Sequence, residues 1–492
     1  MNTADITTRA AELRQELEGR ELKPKERIAI PMQEMPAQDP VERRGNMNEV
    51  ALGYTEDQVI VEAKRCLQCK SKPCVKGCPV SIDIPRFIEK AEQRDYGGAL
   101  EVIRETSLLP SICGRVCPQE VQCQAYCTVG KSLKDTMKSV SIGRIERYVA
   151  DWERESGERR IPPVKPDTGK KVAIIGSGPS GITAAADLRK EGHAVTVFEA
   201  FHKPGGVMIY GIPEFRLPKK IVEEEIQVLE EMGVEIQPNF LVGRTRRLQD
   251  LIEKDGFDAI FIGSGAGLPK FMRIPGENLV GVFSANEYLT RSNLMKAYDR
   301  EQSDTPIYRS KKVAVLGGGN VAMDAARSAV RLGAEEVSII YRRTEREMPA
   351  RVEEVEHAKE EGVILRTLRN PKRIIGDEND RVRAIELLEY ELGEPDESGR
   401  RRPVAIEGSE HEMEVDTVVV SIGNDSNPLL KQTAGELETN KWGNIITDEN
   451  GRTSMDRVYA GGDIVLGAAT VILAMGEGRK AAASINEMLL QN

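Results

Sequence analysis

No cysteine occurs before residue 66 or after residue 127 of this 492-residue sequence, although it contains eight. That confinement argues against a separate packing role for each thiol. Long apolar runs are also missing: "VAIIG" and "DTVVVSIG" fall far short of the roughly 18 residues that span a bilayer. Met1 to Arg20 is polar and charged, with no apolar stretch resembling a signal-peptide core. No long basic stripe interrupts a mixed-sign sequence that is 30% charged with net charge −10, so neither nucleic acid nor membrane is an expected partner. The histidines, His193, His202, His357 and His411, show neither ligand nor triad spacing and are read as surface or packing residues. The chain is expected in the cytoplasm, where disulfides are rare and grouped cysteines more often hold metal or do redox chemistry. Its length suggests about three domains.

The cysteines form two runs, Cys66-x2-Cys69-x4-Cys74-x3-Cys78-Pro79 and Cys113-x3-Cys117-Pro118-x5-Cys123-x3-Cys127. Structural zinc favours CxxC pairs set well apart, whereas closely spaced thiolates with proline after a cysteine resemble the ferredoxin pattern for 4Fe-4S clusters. In two-cluster ferredoxins the last cysteine of each run crosses to the other cluster. On that pattern Cys66, Cys69 and Cys74 share a site with Cys127, and Cys78 joins Cys117 and Cys123. The fourth ligand of the second site is open between Cys113 and the carboxylate of Glu146, in the helical-looking "SVSIGRIERYVADW".

Around the cysteines the chain reads as helices joined by short turns, as in "DIPRFIEKAEQRDYGGALEVIRE", with no strand pattern before residue 170. The charged, proline-bearing "ESGERRIPPVKPDTGK" marks a domain boundary. Directly after it, "KKVAIIGSGPSGITAAADLRKEGHAVTVFEA" runs strand, Gly176-x-Gly178-x-x-Gly181, helix, strand. Gly176 permits a tight turn, Gly178 lets backbone N–H groups approach a pyrophosphate, and Gly181 allows close helix–strand packing; Pro179 and Ser180 complete the loop. Glu199 ends the second strand where a ribose would be met. A lone glycine triplet also suits an empty turn, but strand, helix and acid agree on a dinucleotide.

A second copy, "KKVAVLGGGNVAMDAARSAVRLGAEEVSIIYRR", repeats the plan with Gly317-x-Gly319-Asn320-Val321-Ala322. Its second strand ends in Tyr341, Arg342 and Arg343, with Arg346 close behind. Arginines there pair with a 2′-phosphate that an acid would repel, which points to NADPH rather than NADH. The first copy has in addition "KPGGVMIYGIPEFRLP", where Gly205 and Gly206 admit a second close approach, and "AGGD", where Gly462 and Asp463 precede a helix from about Ala469. A flavin could use all of these elements.

These motifs carry a resemblance. With "NEVALGYTEDQVIVEAKRCLQCK", "HKPGGVMIYGIPEFRLP", "GGGNVAMDAAR" and "AGGD", the chain resembles the small-subunit family of NADPH-dependent glutamate synthase. It is most similar to the branch that includes the large subunit of NADH-dependent reduced ferredoxin:NADP+ oxidoreductase and sulfide dehydrogenase. The same module resembles the N-terminal half of dihydropyrimidine dehydrogenase. The resemblance implies an α/β protein: a helical N-terminal domain (1–165) with two 4Fe-4S clusters, then an FAD domain (166–295 and 421–492) with an NADPH domain (296–420) inserted. Both nucleotide domains are Rossmann-like. It assigns Cys66, Cys69, Cys74 and Cys127 to one cluster and Cys78, Cys117, Cys123 and, in preference to Cys113, Glu146 to the other.

The chemistry then belongs to FAD, NADPH and the clusters rather than to a catalytic side chain. The implied function is hydride exchange between NADP(H) and FAD, coupled to one-electron transfer to or from ferredoxin or a second redox subunit. Two alternatives are the electron-input subunit of glutamate synthase and a sulfide dehydrogenase or polysulfide reductase subunit. A glutaminase and a synthase barrel do not fit in the remaining residues, and "MNTAD" has no cysteine nucleophile at position 2. Glutamate synthesis by this chain alone is not expected.

Overall fold

The computed structural model describes residues 3–157, 159–299, 301, 303–395 and 399–491. Up to Ser156 the described residues form helices and turns without a strand. Helix Glu56–Lys64 starts with a reciprocal cap, in which Gln58 N–H donates to Thr55 Oγ1 and Thr55 N–H donates to Gln58 Oε1. Helix Ile84–Glu92 buries Ile84, Phe87, Ile88 and Ala91, the i, i+3, i+4, i+7 stripe of one face. Helix Ile142–Ser156 buries Ile142, Ile145 and Val149 by the same spacing, but Glu146 takes the remaining position of that stripe. A carboxyl therefore enters an otherwise apolar face.

Between Ser156 and Lys171 the described residues form no helix or strand. A five-stranded parallel sheet follows, in the order Val458–Ala460, Ala259–Ile262, Lys171–Ile175, Ala194–Phe198, Glu235–Gln237. Its central strand is all but buried and continuously apolar from Val172, as a strand covered on both faces requires. The strand order reverses at Lys171–Ile175, so a crevice opens beyond its carboxyl end. A second parallel sheet repeats this plan, in the order Val282–Ser284, Thr417–Val420, Lys312–Leu316, Glu336–Tyr341, Ile364–Thr367.

The chain leaves the first sheet and returns through a short antiparallel pair, Leu268–Pro269 with Asn424–Asp425. This pair lies just after "DAIFIGSGAG" begins to leave its strand and just after "DTVVVSIG" ends. Strand Val282–Ser284 lies in the second sheet, so the inserted unit starts well before the expected residue 296. Three residues are too short for an alternation to show. A four-stranded antiparallel sheet, Arg369–Gly376, Val382–Pro395, Arg401–Ala405 and His411–Glu414, also sits within the insertion. Its many charged residues hid it from sequence periodicity.

The units meet at a buried ionic junction. Glu361 accepts from Arg43 Nε at 2.9 Å, from Arg327 Nη2 at 2.8 Å and from Arg331 Nη1 at 2.6 Å. Arg216 binds Asp324 at 2.7 Å and Glu354 at 3.1 Å, while the neighbouring Phe215 ring lies 4.7 Å from Arg327 and 3.9 Å from Arg331. Burial would raise the Glu361 carboxyl, but Arg331 and Arg327 hold it down at about 2. Its contribution to stability is therefore full above its ordinary value near 4.5 and is lost as pH falls through about 2. Glu361→Ala leaves three buried guanidiniums without their shared partner. It should destabilise the protein by about 3 to 5 kcal/mol at neutral pH, read as a lowered thermal midpoint, with the gap from wild type closing at strongly acidic pH.

Candidate functional site: two nucleotide loops and a thiol-rich domain

Each glycine loop starts where a central strand ends. At Gly176, φ is +97° and an added Cβ would lie 2.6 Å from the Gly263 carbonyl oxygen. At Gly181 it would lie 1.9 Å from the Gly176 oxygen, so helix Pro179–Lys190 starts against the strand it follows. Gly178 differs. Its φ and ψ of −69° and 178° suit any residue, and an added Cβ would meet nothing nearer than 4.0 Å. The fold does not require glycine there, and the open space lies over the N–H groups of a helix start, where a pyrophosphate would bind. The second loop agrees: at Gly317 an added Cβ would sit 2.1 Å from Ser421 O, while at Gly319 the nearest atom is 3.9 Å away.

Other elements converge on the first loop. Glu199 Oε2 accepts from Ser177 N–H at 3.0 Å and from Ser177 Oγ at 2.5 Å, and Oε1 accepts from Phe201 N–H at 2.8 Å. Gly205 N–H donates to Ser177 Oγ at 2.9 Å, and an added Cβ at Gly206 would lie 2.8 Å from Gly178 Cα. Gly462 backs onto Ser180, whose Oγ would be 2.7 Å from an added Cβ. Asp463 follows, its carboxyl pushed up to about 6 by burial although it accepts from Ala469 N–H. Burial, then Glu199 and Asp463, push the Tyr210 phenol up to about 12. The adjacent helix is Val471–Gln491, close to the expected start.

At the end of the second unit's strand Glu336–Tyr341, the three arginines separate. Arg342 and Arg346 are exposed, whereas Arg343 is 6% exposed and donates from Nε to the Arg401 carbonyl at 2.8 Å. Arg343 thus ties the strand to the antiparallel sheet. Asn320 Oδ1 accepts from Arg351 N–H at 2.9 Å, Val321 is exposed, and Ala322 is buried against the helix base.

The thiols fall into two groups. Cys69 Sγ lies 3.3 Å from Thr128 Oγ1, next to Cys127. Burial first, then Cys127 and Cys69, push the Cys66 thiol up to about 12; burial, then Cys66 and Cys127, do the same to Cys74. Burial pushes Cys78 up to about 11, with Glu146 and Cys117 adding to it. Burial raises Cys123, then Cys78, Cys117 and Glu146. Cys78, Cys113, Cys117, Cys123 and Glu146 line one small cavity.

Helix packing puts Glu146 there. Helix Pro110–Val116 crosses helix Ile142–Ser156 so closely that a Cβ on Gly114 would lie 2.7 Å from Arg147 N. Glu146 Oε1 is buried without a hydrogen-bond partner, and burial pushes the carboxyl up to about 8. Cys113 is instead hydrogen-bonded to Cys117, with its Sγ 3.6 Å from Met475 Sδ. Thiols and a carboxyl that resist ionisation when crowded and buried are stabilised as ligands by a cationic core. Among the described residues no three His, Cys, Asp or Glu converge closely enough to hold a single metal ion. Closely spaced thiols in two short runs, with a proline after Cys78 and after Cys117, suit polynuclear iron-sulfur cores. The four histidines gather no ligands: His193, for example, bonds Thr168 Oγ1 at 2.7 Å and Asn486 Oδ1 at 2.9 Å. No helix among the described residues is long and apolar enough to cross a membrane.

Known proteins share this arrangement. Residues 43–158 match the family of dihydropyrimidine dehydrogenase domain II, 4Fe-4S cluster, and residues 170–478 match pyridine nucleotide-disulphide oxidoreductase. FprA of Mycobacterium tuberculosis, solved in complex with NADPH, superposes with a TM-score of 0.55 at 22% identity, covering 67% of this chain and 85% of its own. Fold, loops and thiol-rich domain together define an iron-sulfur oxidoreductase that works with FAD and NADPH. The glutamate synthase [NADPH] small chain of Azospirillum brasilense is 36% identical over 465 residues, 92% of this chain and 94% of that one. The NADPH-Fe(3+) oxidoreductase subunit beta of Geobacter sulfurreducens is 36% identical over 444 residues, 85% of this chain and 63% of that one. The chain belongs to the glutamate synthase small-chain family of pyridine nucleotide-disulphide oxidoreductases.

Two substitutions separate folding from binding in the first loop. Gly178→Ala should fold with a near-wild-type thermal midpoint but bind FAD at least about tenfold more weakly, roughly 1.4 kcal/mol. Gly181→Ala should compromise the fold itself. At the second loop, Arg342→Ala with Arg346→Ala should weaken NADPH binding by about tenfold or more while leaving NADH binding nearly unchanged. Arg343→Ala should mainly lower the thermal midpoint. Equilibrium titrations of flavin and nucleotide with parallel melts read all four variants.

Proposed function

We propose that this chain is a cytoplasmic oxidoreductase subunit in which hydride exchange between NADP(H) and FAD is coupled to one-electron transfer through two 4Fe-4S clusters, to or from ferredoxin or a second redox subunit. The observation that carries this reading is the graded burial of the two thiol groups. The group with Cys113, Cys117 and Cys123 lies buried against Ile472 and Met475 of helix Val471–Gln491, which belongs to the first nucleotide unit. Cys66, Cys69 and Cys74 of the other group are only half-buried, although Cys127 of that group is buried and Cys78 of the inner group is half-buried.

Residues 166–295 with 421–492 would form the FAD domain, less the edge strand Val282–Ser284, and the insertion would hold NADPH. Gly176, Gly178, Pro179, Ser180, Gly181, Gly205 and Gly206 would admit the flavin's pyrophosphate, Glu199 would accept from its ribose, and Gly462 and Asp463 would face its ring. Gly317, Gly319, Asn320, Val321 and Ala322 would hold the pyrophosphate of NADPH, with Arg342 and Arg346 on the 2′-phosphate. Arg343 would support the strand that carries them. Cys66, Cys69, Cys74 and Cys127 would ligate the outer cluster; Cys78, Cys117, Cys123 and Glu146 would ligate the inner one. Bound flavin supplies the conversion between a two-electron and a one-electron couple, which no side chain here provides.

A second reading is the electron-input chain of a glutamate synthase with a separate large subunit. It is supported by the near end-to-end similarity to the Azospirillum brasilense small chain. The partner that copurifies with the native protein decides between the two: a glutaminase-bearing chain for the second reading, a smaller redox chain or ferredoxin for the first. Under either, anaerobic NADPH should bleach the flavin and iron-sulfur absorbance of the holoprotein, and NADH far less. A colourless protein inert to NADPH would rule out both. Glu146→Ala should lose one cluster signal by electron paramagnetic resonance and about four of about eight iron atoms. Cys113→Ser should keep both clusters.

A further inference from the structure

Residues 65–80 and 121–138 carry Arg65 and six lysines against one acid, Asp135, in a chain of net charge −10. The local sign is opposite to that of the whole. Lys70, Lys72, Lys76, Lys131, Lys134 and Lys138 are all exposed. Lys72 pairs with Asp83 at 2.6 Å, Lys138 with Asp135 at 3.5 Å, and Lys131 lies 5.5 Å over the Tyr126 ring. Lys70, Lys76 and Lys134 have no acidic partner within ion-pair distance among the described residues.

The two segments meet. A Cβ on Gly77 would lie 2.5 Å from the Tyr126 ring, and Cys69 Sγ lies 3.3 Å from Thr128 Oγ1. Helix Pro73–Lys76 packs on the turn Gln124–Tyr126, and helix Thr128–Leu133 packs on that turn and on Thr136–Lys138. Among the lysines stand three apolar side chains, Tyr126, Leu133 and Met137, which are 46%, 38% and 49% exposed. An exposed apolar group rimmed by charge of one sign has the anatomy of a protein interface. The unneutralised rim repels itself and gains most from a surface of opposite charge.

Resting on the reading that Cys66, Cys69, Cys74 and Cys127 hold the outer cluster, we propose that this face docks an acidic one-electron carrier protein. The half-buried thiol group lies beneath the patch, so an acceptor seated there is brought to the site with least cover. The apolar centre and the small extent of the patch favour a protein over nucleic acid, whose phosphates would need a longer basic track. The exchange balances as follows. Two reduced carriers give one electron each, and NADP+ takes both electrons with one proton to become NADPH; the reverse releases that proton and reduces two carriers.

The probe is an acidic plant-type ferredoxin. Its reduced form drives NADP+ reduction by the anaerobic holoprotein, followed as NADPH absorbance. The rate at limiting ferredoxin should fall about tenfold or more between about 0.01 M and about 0.2 M salt. Lys70→Glu, Lys76→Glu and Lys134→Glu together should lower the low-salt rate at least about tenfold. Iron content and bleaching by NADPH should stay unchanged, because none of the three side chains has an ion-pair partner among the described residues. The proposal is overturned if the triple variant matches wild type, if the wild-type rate ignores salt, or if duplex DNA binds the patch in place of ferredoxin. Failure of NADPH to bleach wild-type holoprotein would instead defeat the functional reading beneath it.

Discussion

The arrangement of this chain depends on the buried ionic junction centred on Glu361. Where cofactors carry the chemistry, the protein's contribution is to set distances and orientations. Helix Asn320–Arg331 starts at the second glycine loop, and its side chains Asp324, Arg327 and Arg331 all enter the junction. The same helix is thereby tied to Arg216 of the first nucleotide unit and, through Glu361, to Arg43 of the thiol-rich unit. Three units are held by one cluster of charges. Such a cluster gains little in net stability over apolar packing, but it punishes any arrangement that leaves one member unpaired. Its value here is in fixing the direction of the helix that starts at the second glycine loop.

The two glycine loops show which parts of a motif serve the fold and which leave room for a ligand. The first and third positions of the first loop are filled to contact by backbone oxygens, while the middle position opens on space. The second loop repeats the division at Gly317 and Gly319. Both loops were legible in the sequence because strand, spacing and helix recur together within a short stretch. The two cysteine runs were likewise visible in the sequence because each is local.

What the sequence did not reveal depends on contacts between distant segments. Strand Val282–Ser284 belongs to the second sheet only because Thr417–Val420 lies beside it. Arg343 and Arg342 are neighbours of the same type, yet alternation along the chain turns one toward Arg401 and the other outward. The choice between Cys113 and Glu146 was likewise open in the spacing. It becomes a physical question once Gly114 lets two helices close and leaves Glu146 Oε1 buried without a partner. Beyond the preference for Glu146 that the family resemblance implied, the sequence signal was a glutamate at an apolar position of the helix stripe.

Burial and charge then divide the labour between the two thiol groups. Deep placement against helix Val471–Gln491 shields the inner group from solvent and sets it next to the first nucleotide unit, a geometry suited to transfer within the chain. The outer group has thinner cover and a lysine-rich surround in an acidic protein. A cluster held near cationic side chains is stabilised in its more negative, reduced form, because added negative charge is attracted to the same lysines that would steer an acidic partner. The same residues would thus draw electrons outward and draw in the protein that exchanges them.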